Sequence, residues 1–135
     1  MATLVKKKST AEEIESFEAN TRRIAHLCAE KKAKNIIAFD VRKITLIADA
    51  FVICSATSEP QFKAIFSNIK DGMRKIGVSA LRTEGSFSDE WLLMDYGDIL
   101  VHIFREHARL YYDLESMWGD SREIPLDLDA APETR

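Results

Sequence analysis

Apolar positions along this chain switch between helical and strand periods, and the switches divide it into elements. From Ile14 to Cys28 they recur every three or four residues, at Ile14, Phe17, Thr21, Ile24, Leu27 and Cys28. That spacing is one face of an amphipathic helix, with Glu15, Glu18 and Arg22 turned to water. Ser9 and Thr10 each precede a glutamate by three residues, Glu12 and Glu13, and these overlapping capping boxes start the helix. Lys31, Lys32 and Lys34 follow it, cations at the end that the helix dipole favours. A second helix begins at Ser58-Glu59-Pro60-Gln61, where Pro60 sits in a first turn that needs no amide from it. Its stripe is Phe62, Ile65, Phe66, Ile69, Met73 and Ile76, with Gly77 as the stop.

Between and beyond the helices the pattern predicts strands. Asn35–Val41 and Ala50–Ser55 are short and rich in β-branched residues, whereas 42–49 is mixed and reads equally as loop or strand extension. Val78–Glu84 supplies a short strand, and Gly85–Glu90 a polar loop. Trp91–Asp95 and Ile99–Phe104 then form a hairpin across Tyr96-Gly97-Asp98, with Gly97 free to take a positive φ. Arg105–Trp118 reads as a last helix with Leu110, Tyr111, Leu114, Met117 and Trp118 on one side and Gly119 as its end. The boundaries expected are a flexible segment over 1–8, one domain over 9–119 and a mobile acidic tail over 120–135. Leu126 and Leu128 give that tail weak docking points. The fold class is α/β or α+β, a mixed sheet flanked by helices.

A chain of 135 residues with 46% hydrophobic and 30% charged content fits a single globular core. No apolar run approaches the ~20 residues of a membrane-spanning helix. The N-terminus has Lys6, Lys7 and Lys8 but no apolar segment behind them, so it fails as a secretory signal and points to a cytoplasmic protein. Cys28 and Cys54 have no CxxC spacing, and His26, His102 and His107 are unclustered, which argues against a disulfide, a metal site or a bound cofactor. The net charge of -3 opposes broad contact with a phosphate backbone. Lys6–Lys8 and Lys31–Lys34 are the basic clusters that an RNA-binding module would have to use.

The sharpest chemical feature is aromatic. Trp91, Tyr96, Tyr111, Tyr112 and Trp118 fall within one short stretch, and such residues dominate both interface hot spots and cores. Alternation places Trp91, Leu93 and Asp95 on one side of their strand and Leu92 and Met94 on the other, leaving open which side faces outward. Asp95, Asp98, Asp113 and Glu115 beside them would give an acidic rim suited to a basic partner. An enzymatic alternative takes Asp40, Asp95 and Asp98 as metal ligands for phosphoryl transfer. Against it, the Ala56-Thr57-Ser58 turn lacks the glycine of a phosphate-binding turn, and no Walker-type loop, dinucleotide glycine pattern or nucleophile signature occurs.

Five segments, KKAKNIIAFDVR from Lys31, ADAFVICSATS from Ala48, the Gln61–Ile65 helix start, TEG from Thr83, and Trp91–Gly119, resemble the Iojap-like ribosomal silencing factors. The resemblance covers most of the chain. It departs at Ala50, where the family usually has an aromatic, and at Ala56, where it usually has glycine. The resemblance implies a nucleotidyltransferase-like topology without catalytic residues. It also implies a non-enzymatic factor that binds the large ribosomal subunit through its protein fourteen and blocks subunit joining when nutrients are scarce. A part in late large-subunit assembly is implied as well. Trp91, Leu93, Tyr96, Asp98, Tyr112 and Trp118 carry over as partner contacts, RNA contact is incidental, and an uncovered apolar face is compatible with a homodimer in the free state.

Overall fold

In a computed structural model, residues 11–118 and 120–128 are described; the Ser9 and Thr10 caps, the 1–8 segment and the end of the tail lie outside them. The elements are α1 (Ala11–Glu30), β1 (Lys34–Asp40), β2 (Ala50–Ala56), α2 (Glu59–Arg74), β3 (Arg82–Ser86), β4 (Trp91–Asp95), β5 (Ile99–Arg105), α3 (Glu106–Tyr112), α4 (Leu114–Met117) and β6 (Arg122–Glu123). The strands form one sheet in the order β3-β4-β5-β2-β1-β6. Only the central β2–β5 pair is parallel, so the sheet is mixed, flanked by helices as the pattern predicts.

Helices α1 and α2 pack on one face of this sheet. Their buried stripes, Phe17, Ile24, Leu27 and Cys28 on α1 and Phe62, Ile65, Ile69 and Met73 on α2, meet Ala38, Val52, Cys54, Leu92, Met94, Val101 and Ile103. The Thr21 hydroxyl, buried in the same stripe, donates to Phe17 O at 2.8 Å, which is how a polar group is accommodated there. Ser58 caps α2 by accepting from Gln61 N at 3.2 Å. Gln61 does not complete a reciprocal box. Its Oε1 accepts from Thr57 N at 2.7 Å, and its Nε2 donates to the carbonyls of Lys31 and Lys32, tying α2 to the turn after α1. The lysines therefore sit past α1, whose last turn carries no basic residue. Ile76, expected in the α2 stripe, lies beyond the helix end and is 44% exposed.

Three further expectations are corrected. Residues 78–81 are not strand; β3 starts at Arg82 and includes Gly85, whose φ of 94° lets it cross the Trp91 carbonyl at a point where a Cβ would collide. Arg105–Trp118 is not one helix, because Asp113 takes a left-handed conformation, φ 49°, and separates α3 from α4. Of the segment expected as a tail, the described residues 122–124 are docked on the domain. Arg122 and Glu123 pair with Asp40 and Phe39, Ile124 N donates to Ala38 O at 2.8 Å, and the Ile124 side chain is fully buried in the main core. No helix among the described residues is long and apolar enough to cross a membrane.

Candidate functional site

Strand alternation and register assign the other sheet face without ambiguity. Trp91 lies opposite Phe104, Leu93 opposite His102 and Asp95 opposite Leu100 across β4–β5. Leu100, His102 and Phe104 in turn neighbour Phe51, Ile53 and Ser55 on β2, and Phe51 neighbours Phe39 on β1. Of these, Phe39, Phe51, Ile53, Leu100 and Phe104 make a second apolar cluster with Val41 and Ala48, and Trp91 and Leu93 pack against it on the face away from α1 and α2. The outward side of β4 is thus the one bearing Trp91, Leu93 and Asp95, all half-buried, whereas Leu92 and Met94 point into the main core.

Only part of this second face is covered. Helices α3 and α4 cross its Phe104 end, and Leu114 and Trp118 pack down on it, Trp118 edge-on to Phe51 at 5.0 Å between ring centroids. Arg109 holds that arrangement. It is buried and donates to both carboxylate oxygens of Glu115, at 3.1 and 2.9 Å, and to Ser55 Oγ at 2.9 Å. Residues six apart lie roughly 240° apart around a straight helix, so this bidentate pair requires the break at Asp113. The break in turn leaves Leu110 and Tyr111 facing out, at 83% and 81% exposure, against the single stripe expected from the sequence; Met117 is exposed too.

The result is a continuous aromatic surface. Trp91 stacks on Phe104 at 4.9 Å and meets Tyr112 at 4.8 Å, and Tyr111 lies edge-on to Tyr112 at 5.2 Å. Beneath Trp91, His102 is buried and its Nδ1 accepts the indole N–H at 3.2 Å. Burial without charge compensation pulls the His102 pKa down to about 4, so the ring is neutral at physiological pH. The clustering of aromatic residues in the sequence brings out Trp91 and Tyr112. His102, Phe104 and Phe51 were not selected from it, because a lone histidine or phenylalanine in an apolar strand carries no facing signal.

Of the six residues proposed from sequence, Trp91, Leu93, Tyr112 and Trp118 share this face. Tyr96 does not. It is 8% exposed in the main core with α2, and burial pushes its hydroxyl pKa up to about 12. Asp98 lies in the hairpin turn at the far end of β4. It is exposed as a residue, yet desolvation of its carboxyl raises its pKa, with Asp49 adding to the effect, and its backbone carbonyl accepts from Asp49 N and Ala50 N. Two members of the acidic rim are committed to internal partners, Asp95 to Arg82 at 3.3 Å and Glu115 to Arg109 at 2.9 Å.

The carboxylates of the enzymatic alternative do not converge. Register puts Asp40 on the α1 side of the sheet and Asp95 on the opposite side. Asp40 is bound by Arg42 through two side-chain bonds, at 2.9 and 2.6 Å, and by Arg122 at 3.2 Å. Although burial alone would raise its pKa, these guanidinium bonds hold it at about 2, an ion-pair network rather than an open ligand set. Among the described residues no three His, Cys, Asp or Glu side chains come close enough to hold a metal ion.

Fold and site together define an α+β domain whose distinguishing feature is a half-open aromatic sheet face. The chain belongs to the RsfS family, ribosomal silencing factor during starvation, whose pattern matches residues 14–135. It is 41% identical over 103 residues to the ribosomal silencing factor RsfS of Bacillus subtilis, covering 76% of this chain and 87% of that protein. It is 33% identical over 106 residues to the chloroplastic Iojap protein of Zea mays, covering 78% of this chain and 46% of that protein. A crystal structure of a Chromobacterium violaceum protein superposes with a TM-score of 0.73 at 29% identity, covering 78% of this chain and 88% of that one.

Proposed function

We propose that this protein silences translation by binding the large ribosomal subunit through its protein fourteen and sterically blocking the small subunit from joining. Repression under nutrient limitation, action in the cytoplasm and a contribution to late large-subunit assembly belong to the same reading. Family membership supports the ribosomal role, and the observation that carries the mode of action is the aromatic face. Trp91 and Leu93 on β4, with Tyr111 and Tyr112 at the end of α3 beside them, give an apolar surface that is partly uncovered. Aromatic anchors of this kind supply most of the binding free energy of an interface. A standard interface of about 1,600 Å² is enough to compete with subunit joining. With Asp95 and Glu115 already paired internally, charge acts mainly on encounter and orientation. The function needs neither catalysis nor a cofactor.

Trp91→Ala tests the assignment. Loss of a hot-spot tryptophan is expected to weaken binding to purified protein fourteen by about 2 kcal/mol or more, roughly thirtyfold, while circular dichroism keeps its native form. Undiminished binding by a folded variant would remove Trp91, and the face it anchors, from the interface.

A further inference from the structure

His102 is the one imidazole built into the aromatic face, and its surroundings are apolar. Phe51 meets it edge-on at 5.0 Å, Trp91 lies over it at 5.8 Å and Phe104 is beside it at 6.3 Å. His102 is 5% exposed as a residue, and its Nε2 is buried with no hydrogen-bond partner among the described residues. Because Nδ1 accepts the Trp91 indole N–H at 3.2 Å, the neutral ring carries its own proton on Nε2. A phenylalanine or leucine would fill this space without burying an unpaired N–H, which is costly. What the imidazole adds is a single acceptor pointed at the indole.

We infer that His102 is the positioning residue of the binding face, fixing the Trp91 indole stacked on Phe104 and beside Tyr112 so that the anchor is preorganised before a partner arrives. This rests on the aromatic face being the ribosome-binding surface. Without the acceptor, the half-buried indole N–H has to find water, and the ring turns to reach it. Preorganised anchors bind more tightly because less rotamer freedom is lost on docking. His102 touches the partner through Trp91 alone.

The test compares the wild type with His102→Leu, which removes the acceptor, and His102→Asn, whose Oδ1 can stand in for Nδ1. Two readouts apply, nitrogen-15 NMR of the Trp91 indole N–H in the free protein and affinity for purified large subunits. For His102→Leu the indole resonance is expected to shift and its solvent exchange to accelerate, with affinity falling by about fivefold to tenfold, the worth of one hydrogen bond. His102→Asn is expected to restore both readouts, which a purely structural role would not produce. Should His102→Leu fail to fold, indole exchange in the wild type still decides the point, since a rate as fast as that of free tryptophan overturns the bond. Wild-type binding matched by a folded His102→Leu overturns the positioning role alone. Failure of the wild type to bind large subunits overturns the parent reading and this role with it.

Discussion

At the scale of single residues, the burial of His102 has a consequence for stability. Its pKa drops from the ordinary 6.5 in the unfolded chain to about 4 in the fold. The unfolded state therefore takes up the proton first on acidification, so the stabilisation is complete above pH 6.5 and is lost as pH falls toward 4, amounting to about 3 kcal/mol. Asp40, held at about 2 by Arg42 and Arg122, contributes over a lower window, present above its ordinary 3.8 and lost toward pH 2. Urea unfolding at pH 7 and pH 4.5 should show a steep acid loss in the wild type and a flatter one in His102→Asn. Parallel losses in the two proteins would place the acid sensitivity elsewhere. The sequence made Trp91 and Tyr112 visible as candidates, but not their facing. Both sides of β4 are apolar, and only the packing of α1 and α2 on Leu92 and Met94 decides which is buried. Tyr96 is illegible for the same reason, since a tyrosine in a turn next to glycine reads as exposed, whereas the fold buries it in the main core.

At the scale of elements, local signals predict what local physics determines. The α2 cap and stripe and the β4–β5 hairpin came through with near-correct bounds, because capping, periodicity and the glycine turn act over a few residues. The broken last helix did not, because the break goes with a tertiary contact, Arg109 to Ser55, that no local pattern encodes. Arg109 must reach Ser55 on β2 as well as Glu115, and a continuous helical stripe through Asp113 cannot do both. Glu115→Ala is expected to leave the buried guanidinium without its carboxylate and to destabilise the protein by about 1–3 kcal/mol, discounted for the partial exposure of Glu115. Thermal unfolding measures the loss, and a red shift of tryptophan emission would report Trp118 lifting off Phe51. An unchanged melting temperature would show that α4 is held by packing alone.

At the scale of the whole molecule, the domain is closed by a segment that composition assigns to a tail. Proline and acidic residues mark 120–135 as unstructured, yet two residues of β6 complete the sheet edge and Ile124 fills the core. Arg122 adds ion pairs to Glu18 on α1 and Asp40 on β1, which joins helix, sheet and C-terminal segment. So short a strand has no periodic signature, and its apolar residue is legible only once the slot beside Ala38 exists. Ile124→Ala is expected to cost about 2–4 kcal/mol in urea unfolding, as for other fully buried aliphatic side chains. A loss below 0.5 kcal/mol, the range of surface substitutions, would return this segment to the role of a tail. One sheet face is sealed by α1, α2 and Ile124, whereas on the second face Trp91 and Leu93 stay only half-buried beside α3 and α4. The most direct test is sedimentation of purified ribosomal subunits at limiting magnesium, with and without the protein, probing the gradient for it. Co-migration with the large subunit and a smaller fraction of joined ribosomes is the predicted result; a protein left at the top of the gradient with joining unchanged would contradict the silencing mechanism.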